Sequence, residues 1–261
     1  MGYPNVRYAN DPAEVAALDT RVREAFEEAD RGGSADRLAR FREVAKTTCA
    51  VTVMSITDMR MLLSENRLWV SFYKQVNGAG SRQSEWNKWD FSRGSNDQKV
   101  NPQYSDHINY AALSLGDFGA GWYGGCHAKL VGDRISTRAS VFWENPFVFL
   151  KNTHVPPDAL VPPGYRASWE RRSDLAVAKL HPKIGSSTAE AEFPGIVLEH
   201  DPSRGDTDFI EVHIYGAVGQ SAIAQVSVDT SRMDEDDALE WSSLKRRLDA
   251  AGILVRDVAN A

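Results

Sequence analysis

Near the N-terminus, apolar positions recur twice at the 3.6-residue spacing of a helix. Val15, Leu18, Val22 and Phe26 share one face of a segment from Asp11 to Asp30. Asp11 stands where a capping side chain accepts free amides, Pro12 suits the first helical position, and Glu14 completes a capping-box-like pattern. Gly32-Gly33 breaks the chain, and Ser34 opens a second helix along which Leu38, Phe41 and Val44 continue the period. These helices predict an N-terminal hairpin over 1–47, read as a brace, with a partner or immunity-protein surface as the functional alternative. From Thr48 the pattern becomes a β-prone run, Cys49 to Met54, then a short helix from Asp58 to Asn66 with Met59, Leu62 and Leu63 inward.

Between Asn77 and His107 glycine, serine and asparagine surround Trp86, Trp89 and Phe91, which predicts a long aromatic-bearing loop, read as a functional lid with plain filler as the alternative. After Gly124-Gly125 short β-branched or aromatic runs predict strands at Cys126 to Val131, Arg134 to Trp143 and Phe147 to Leu150. Pro156-Pro157 and Pro162-Pro163 mark a crossing loop. Further strands are expected at Ile196 to His200, Phe209 to Val218 and Ser221 to Val228. Asp234 to Ala250 reads as a closing helix, acidic at its start and basic at its end, as the helix dipole favours. The pattern predicts an α+β fold with a helical extension at 1–47 and one domain over 48–261.

Composition narrows the function classes. The 261 residues carry 30 Lys and Arg against 36 Asp and Glu, a net charge of -6. No long basic block is present, which argues against duplex nucleic-acid binding driven by phosphate neutralisation. With 42% hydrophobic and 25% charged residues the chain has globular composition. Cys49 and Cys126 match no zinc or redox spacing and read as two buried thiols. No apolar run approaches a membrane span and no signal peptide opens the sequence, so the expected setting is the cytoplasm, or delivery without a cleavable signal. Walker, Gly-x-Gly-x-x-Gly, His-Glu-x-x-His and Gly-x-Ser-x-Gly patterns are all missing.

Two segments carry candidate chemistry. In Phe209 to Gly216, strand alternation puts Ile210, Val212 and Ile214 on a core face, and Phe209, Glu211, His213 and Tyr215 on the opposite face. That second face reads as a cleft wall, with Glu211 and His213 able to act on one substrate. The other segment runs from Tyr123-Gly124 to Asn145, where Arg134, Ser136, Arg138 and Ser140 share strand parity. Arginine's planar fork suits a diphosphate or carboxylate, and neighbouring hydroxyls can fix a sugar or ring.

The order of helical hairpin, strand-turn-helix, Tyr123-Gly124 element, Arg138-Ala139-Ser140 strand and late Glu211 to Gly216 strand resembles bacterial mono-ADP-ribosyltransferase toxin-like families, over roughly Thr48 to Val228. The resemblance implies split antiparallel sheets with NAD between them as substrate. It implies Glu211 as the catalytic carboxylate, with His213 beside it, and Arg138 or Arg134 as the NAD anchor, together with Tyr123, Gly124, Ser136 and Ser140. The acceptor would be a protein, a nucleic acid or water, recognised near Asp201 to Asp208. Phe209 stands where arginine-modifying members carry Glu or Gln, which puts arginine as acceptor in doubt. The histidine of another subgroup's first core strand has no counterpart between Cys49 and Ser55.

Two other readings compete. One is a metal-independent nuclease with His213 and His127 as acid-base pair, supported by Glu211 and Lys129. The other is a non-catalytic module presenting Trp86, Trp89, Tyr123 and Trp143.

Overall fold

The computed structural model describes residues 2–64, 68–77, 88–156, 159–199 and 208–257, with side chains described for all of these except 64, 76, 77 and 88–93. The chain opens with α1 (Pro4–Ala9), α2 (Pro12–Arg31) and α3 (Ala35–Ala45), then β1 (Cys49–Met54), α4 (Ile56–Ser64), α5 (Phe72–Asn77) and α6 (Lys88–Val100). It continues with β2 (Ile108–Ser114), β3 (Cys126–Leu130), α7 (Gly132–Ile135), β4 (Ala139–Phe142), α8 (Pro146–Asn152), β5 (Arg166–Ser168), α9 (Arg172–Leu180) and α10 (Phe193–Val197). β6 (Glu211–Tyr215), β7 (Ile223–Val228), α11 (Glu235–Ala250) and β8 (Leu254–Asp257) complete it. The fold is α+β.

The described strands form one eight-stranded sheet in the order β5-β4-β6-β2-β1-β3-β7-β8. Every pairing is antiparallel except β7 with β8. Strand register gives the sheet two unlike faces. Ala50, Leu113, Ala128, Val141, Val212, Ile214 and Val226 occupy one, inside the main hydrophobic core. Ser140, His213 and Tyr110 lie side by side on the other, as do Phe142, Glu211 and Ala112.

α2 and α3 pack against α9, and α4 against α11. Leu18, Leu38 and Phe41 of the N-terminal helices are fully buried in the same core as the sheet, each worth roughly 1.5–3 kcal/mol of apolar burial. Segment 1–47 therefore shares one core with the rest of the chain. α1 lies against β4, β5 and β6, and the buried pair Glu14–Arg166 (2.9 Å) joins α2 to β5. Among the described residues, no helix is long and apolar enough to cross a membrane.

The structure bears out several local expectations. Asp11 accepts from the Ala13 amide at 2.9 Å, and Asp234 caps α11 through the Asp237 amide at 2.8 Å. The strand Cys49 to Met54 forms with the expected ends. Both cysteines are free thiols; Cys126 is buried and Cys49 half-buried.

Other expectations are corrected. Arg134 to Trp143 is not one strand: α7 and a 3-10 turn, Ser136–Arg138, precede β4, so Arg134, Ser136 and Arg138 share no strand parity. Phe147 to Leu150 is helical in α8, because Asn145 accepts from the Phe147 amide at 3.0 Å and Pro146 presets the first turn. Ile196 to His200 forms no extended strand. α10 runs through Val197, and only Leu198 bridges to Phe209, while His200 lies outside the described residues. The expected loop from Asn77 to His107 contains α6; Trp86 lies outside the described residues. Where the resemblance implies split sheets, the described strands are hydrogen-bonded into a single one.

Candidate active site

A cavity of about 190 Å³ lies on the polar face of the sheet, over β1, β2 and the start of β6. Glu211, Tyr110 and Val53 contribute to its sheet side, while Trp69, Phe72 and Tyr123 enclose it from outside. Glu211 is 5% exposed, so its carboxylate is part of the wall and not of the surface.

Glycine at 124 explains how Tyr123 reaches this cavity. Gly124 has φ +149°, and a Cβ there would sit 2.5 Å from the Met54 carbonyl oxygen. Only a residue without a side chain lets the chain pass so close over β1 and deliver Tyr123 to the rim. Tyr123 itself is about half exposed.

Behind Glu211 is a buried polar layer. His213 is 2% exposed, its Nε2 lies 2.9 Å from Glu211 Oε2, and its Nδ1 lies 3.2 Å from Asn101 Oδ1. The ring stacks on Phe142 (5.6 Å between centroids) and meets Tyr110 edge-on (5.1 Å). Burial, reinforced by the Arg166 guanidinium and opposed by Asp97, lowers the His213 pKa to about 3. The imidazole is therefore neutral at pH 7. Asn5 of α1 donates from Nδ2 to the His213 carbonyl at 2.9 Å and to Ser140 Oγ at 3.2 Å, which seats α1 over β4 and β6.

The expected catalytic and NAD-binding residues fall into four places. Glu211 and Tyr123 border the cavity. Ser140 is buried beneath α1. Arg134 is exposed on α7 and Ser136 half-buried beside it. Arg138 is occupied: its Nη1 donates to the carbonyls of Tyr215 (2.8 Å), Gly216 (3.2 Å) and Ala217 (2.9 Å). Burial lowers its pKa. It fastens the turn at Gly216, where φ is +78°. At the entry to β6, Lys179 of α9 bonds both Asp208 and the Trp143 carbonyl, fixing the strand that presents Glu211.

His127 occupies the same sheet face as His213, yet β2 and β1 lie between their strands. At about 4.8 Å per strand the two rings are set roughly 14 Å apart, too far to work as an acid-base pair on one phosphate. His127 Nδ1 instead accepts from the Gly119 amide at 3.1 Å. The aromatic set is dispersed: Tyr123 is at the rim, Trp143 is partly buried against the core, and the Trp89 side chain and Trp86 lie outside the description. Among the described residues, no group of three or more His, Cys, Asp and Glu is placed to hold a metal.

Sequence reasoning missed Tyr110, Asn101, Asn5 and the covering residues Trp69 and Phe72. Tyr110 had a signal in the Ile108 to Leu113 run, hidden by the polar stretch before it. Asn101 had none, since it meets His213 across 112 residues of sequence. No protein-family model matches the chain, and no curated protein sequence matches it.

Proposed function

We propose that the Glu211 cavity is the active site of an NAD-dependent mono-ADP-ribosyltransferase or NAD glycohydrolase, which breaks the nicotinamide–ribose bond and passes ADP-ribose to a macromolecular acceptor or to water. One observation carries the reading: a strand-borne carboxyl group, held through one oxygen by a neutral histidine, borders a cavity with Tyr123 at its rim. Breaking the bond builds positive charge on the ribose. A fixed carboxylate stabilises that charge and accepts a hydrogen bond from a ribose hydroxyl. A cavity of about 190 Å³ is smaller than the roughly 300–1,000 Å³ of common ligand pockets, so in this reading it takes only part of NAD.

In this reading the α+β fold is ADP-ribosyltransferase-like, with a single hydrogen-bonded sheet in place of the split pair that the resemblance implies. Arg138 serves the site by fixing the Gly216 turn, and no arginine clamp on the diphosphate is invoked. The toxin or effector setting rests on the sequence resemblance alone.

The test uses NAD labelled in its adenine portion, incubated with the protein and a cell extract, with free ADP-ribose separated from macromolecule-bound label. Glu211→Gln keeps the shape and an acceptor for His213 but deletes the charge. It is expected to lower turnover about 10²–10³-fold with the unfolding midpoint retained. Equal turnover by variant and parent would remove Glu211 from the chemistry.

A further inference from the structure

His213 faces an acceptor at each nitrogen: Glu211 Oε2 at Nε2 and Asn101 Oδ1 at Nδ1. A neutral imidazole has one N–H and cannot donate to both. An imidazolium could, but the pocket opposes that charge with Phe142 and Tyr110 against the ring and Arg166 nearby, leaving Asp97 and Glu211 as the acids that favour it. Asn101 is 1% exposed, and its Nδ2 has no hydrogen-bond partner. The two ends of a side-chain amide are alike in shape, and the bonding pattern decides between them. Turning the Asn101 amide end for end converts an acceptor-acceptor contact into a hydrogen bond and gives the unpartnered NH₂ a partner.

We propose that Asn101 is a positioning residue: its side-chain NH₂ donates to His213 Nδ1, holding the ring in the Nε2–H tautomer that donates to Glu211 and fixes the carboxylate at the cavity wall. This rests on the reading of Glu211 as a working carboxylate. A protonated Glu211 would reverse the chain of donors. Asn101 stands immediately after α6, and its amide N–H bonds back to the Asp97 carbonyl at 2.7 Å, so the end of that helix sets its place.

Asn101→Asp replaces a group that can donate with a carboxyl that only accepts when ionised. Facing an ionised carboxylate, the ring carries a proton on Nδ1, either by gaining a second proton or by giving up its bond to Glu211. Long-range proton–nitrogen correlation spectra of the ¹⁵N-labelled protein distinguish protonated from bare ring nitrogens. Between pH 6 and 8 the parent is expected to show His213 with Nε2 protonated and Nδ1 bare, and Asn101→Asp to show Nδ1 protonated. In the NAD assay the same variant is expected to lose about tenfold in kcat with KM changed less than about threefold, because alignment and not substrate binding is lost.

A parent ring protonated at Nδ1 would overturn the assignment. The parent spectrum decides even if the variant does not fold. Failure of NAD turnover with the expected tautomer present would sink the catalytic reading and leave the Asn101 assignment standing.

Discussion

Acidification should destabilise this protein through His213. In the unfolded chain the imidazole titrates near 6.5, whereas in the fold its pKa is lowered to about 3 by burial against Phe142 and Tyr110 and by Arg166. The unfolded state therefore binds more protons than the folded state across that interval, and stability falls as pH drops through it. Above about pH 6.5 this contribution is fully present. Below that, each pH unit removes about 1.4 kcal/mol, which gives about 3 kcal/mol by pH 4.5. Carboxylates elsewhere add their own acid response, so the measurement is a difference: urea unfolding free energies at pH 7, 5.5 and 4.5 for the parent and for His213→Asn. The variant carries no titrating ring, and the parent is expected to lose about 3 kcal/mol more than the variant between pH 7 and 4.5. Parallel pH profiles for the two proteins would refute the buried, neutral imidazole.

Gly124→Ala is expected to cost about 2–3 kcal/mol, because the new Cβ meets the Met54 carbonyl at a φ of +149°; a fall in Tm of roughly 4–12 °C checks it, and an unchanged Tm would contradict the close approach. Arg138→Lys cannot hold all three carbonyls of the Gly216 turn and is expected to lower stability by about 1–3 kcal/mol, with KM for NAD changed less than about threefold. A tenfold rise in KM at full stability would instead place the guanidinium on NAD.

The parts of the fold that were legible in the sequence are those with one buried face and a local stop signal. Phe209 to Tyr215 alternates because Val212 and Ile214 enter the core while Glu211 and His213 face the opposite side. The helices α2 and α11 begin at side chains that accept their first amides, a short-range interaction visible in a few letters. β2 escaped notice because six of its seven residues are buried, on both faces, and small residues fill the middle of the strand. Alternation disappears when both faces are covered. The Arg134 to Trp143 run misled for a different reason. Its letters suit a strand, but Gly132-Asp133 starts a local helix and extended backbone begins only at Ala139. The functional parity drawn from those arginines had no geometry beneath it, whereas the parity drawn from β6 did.

The site's logic depends on a distinction the sequence does not carry, between a histidine that reacts and one that holds. Both roles place His213 two residues from Glu211 on one face of a strand. Burial decides between them, since an imidazole kept neutral to about pH 3 neither delivers nor collects a proton at pH 7. Neutrality also matters for what it leaves on Glu211. An imidazolium would bind the carboxylate more strongly but would offset its charge, and the field available to a developing ribosyl cation would shrink accordingly. A neutral Nε2–H orients the Glu211 carboxyl group without placing a positive charge beside it. The apolar walls around His213 are thus part of the electrostatics of Glu211, and replacing Phe142 with a polar residue would disturb the site by admitting charge to the ring.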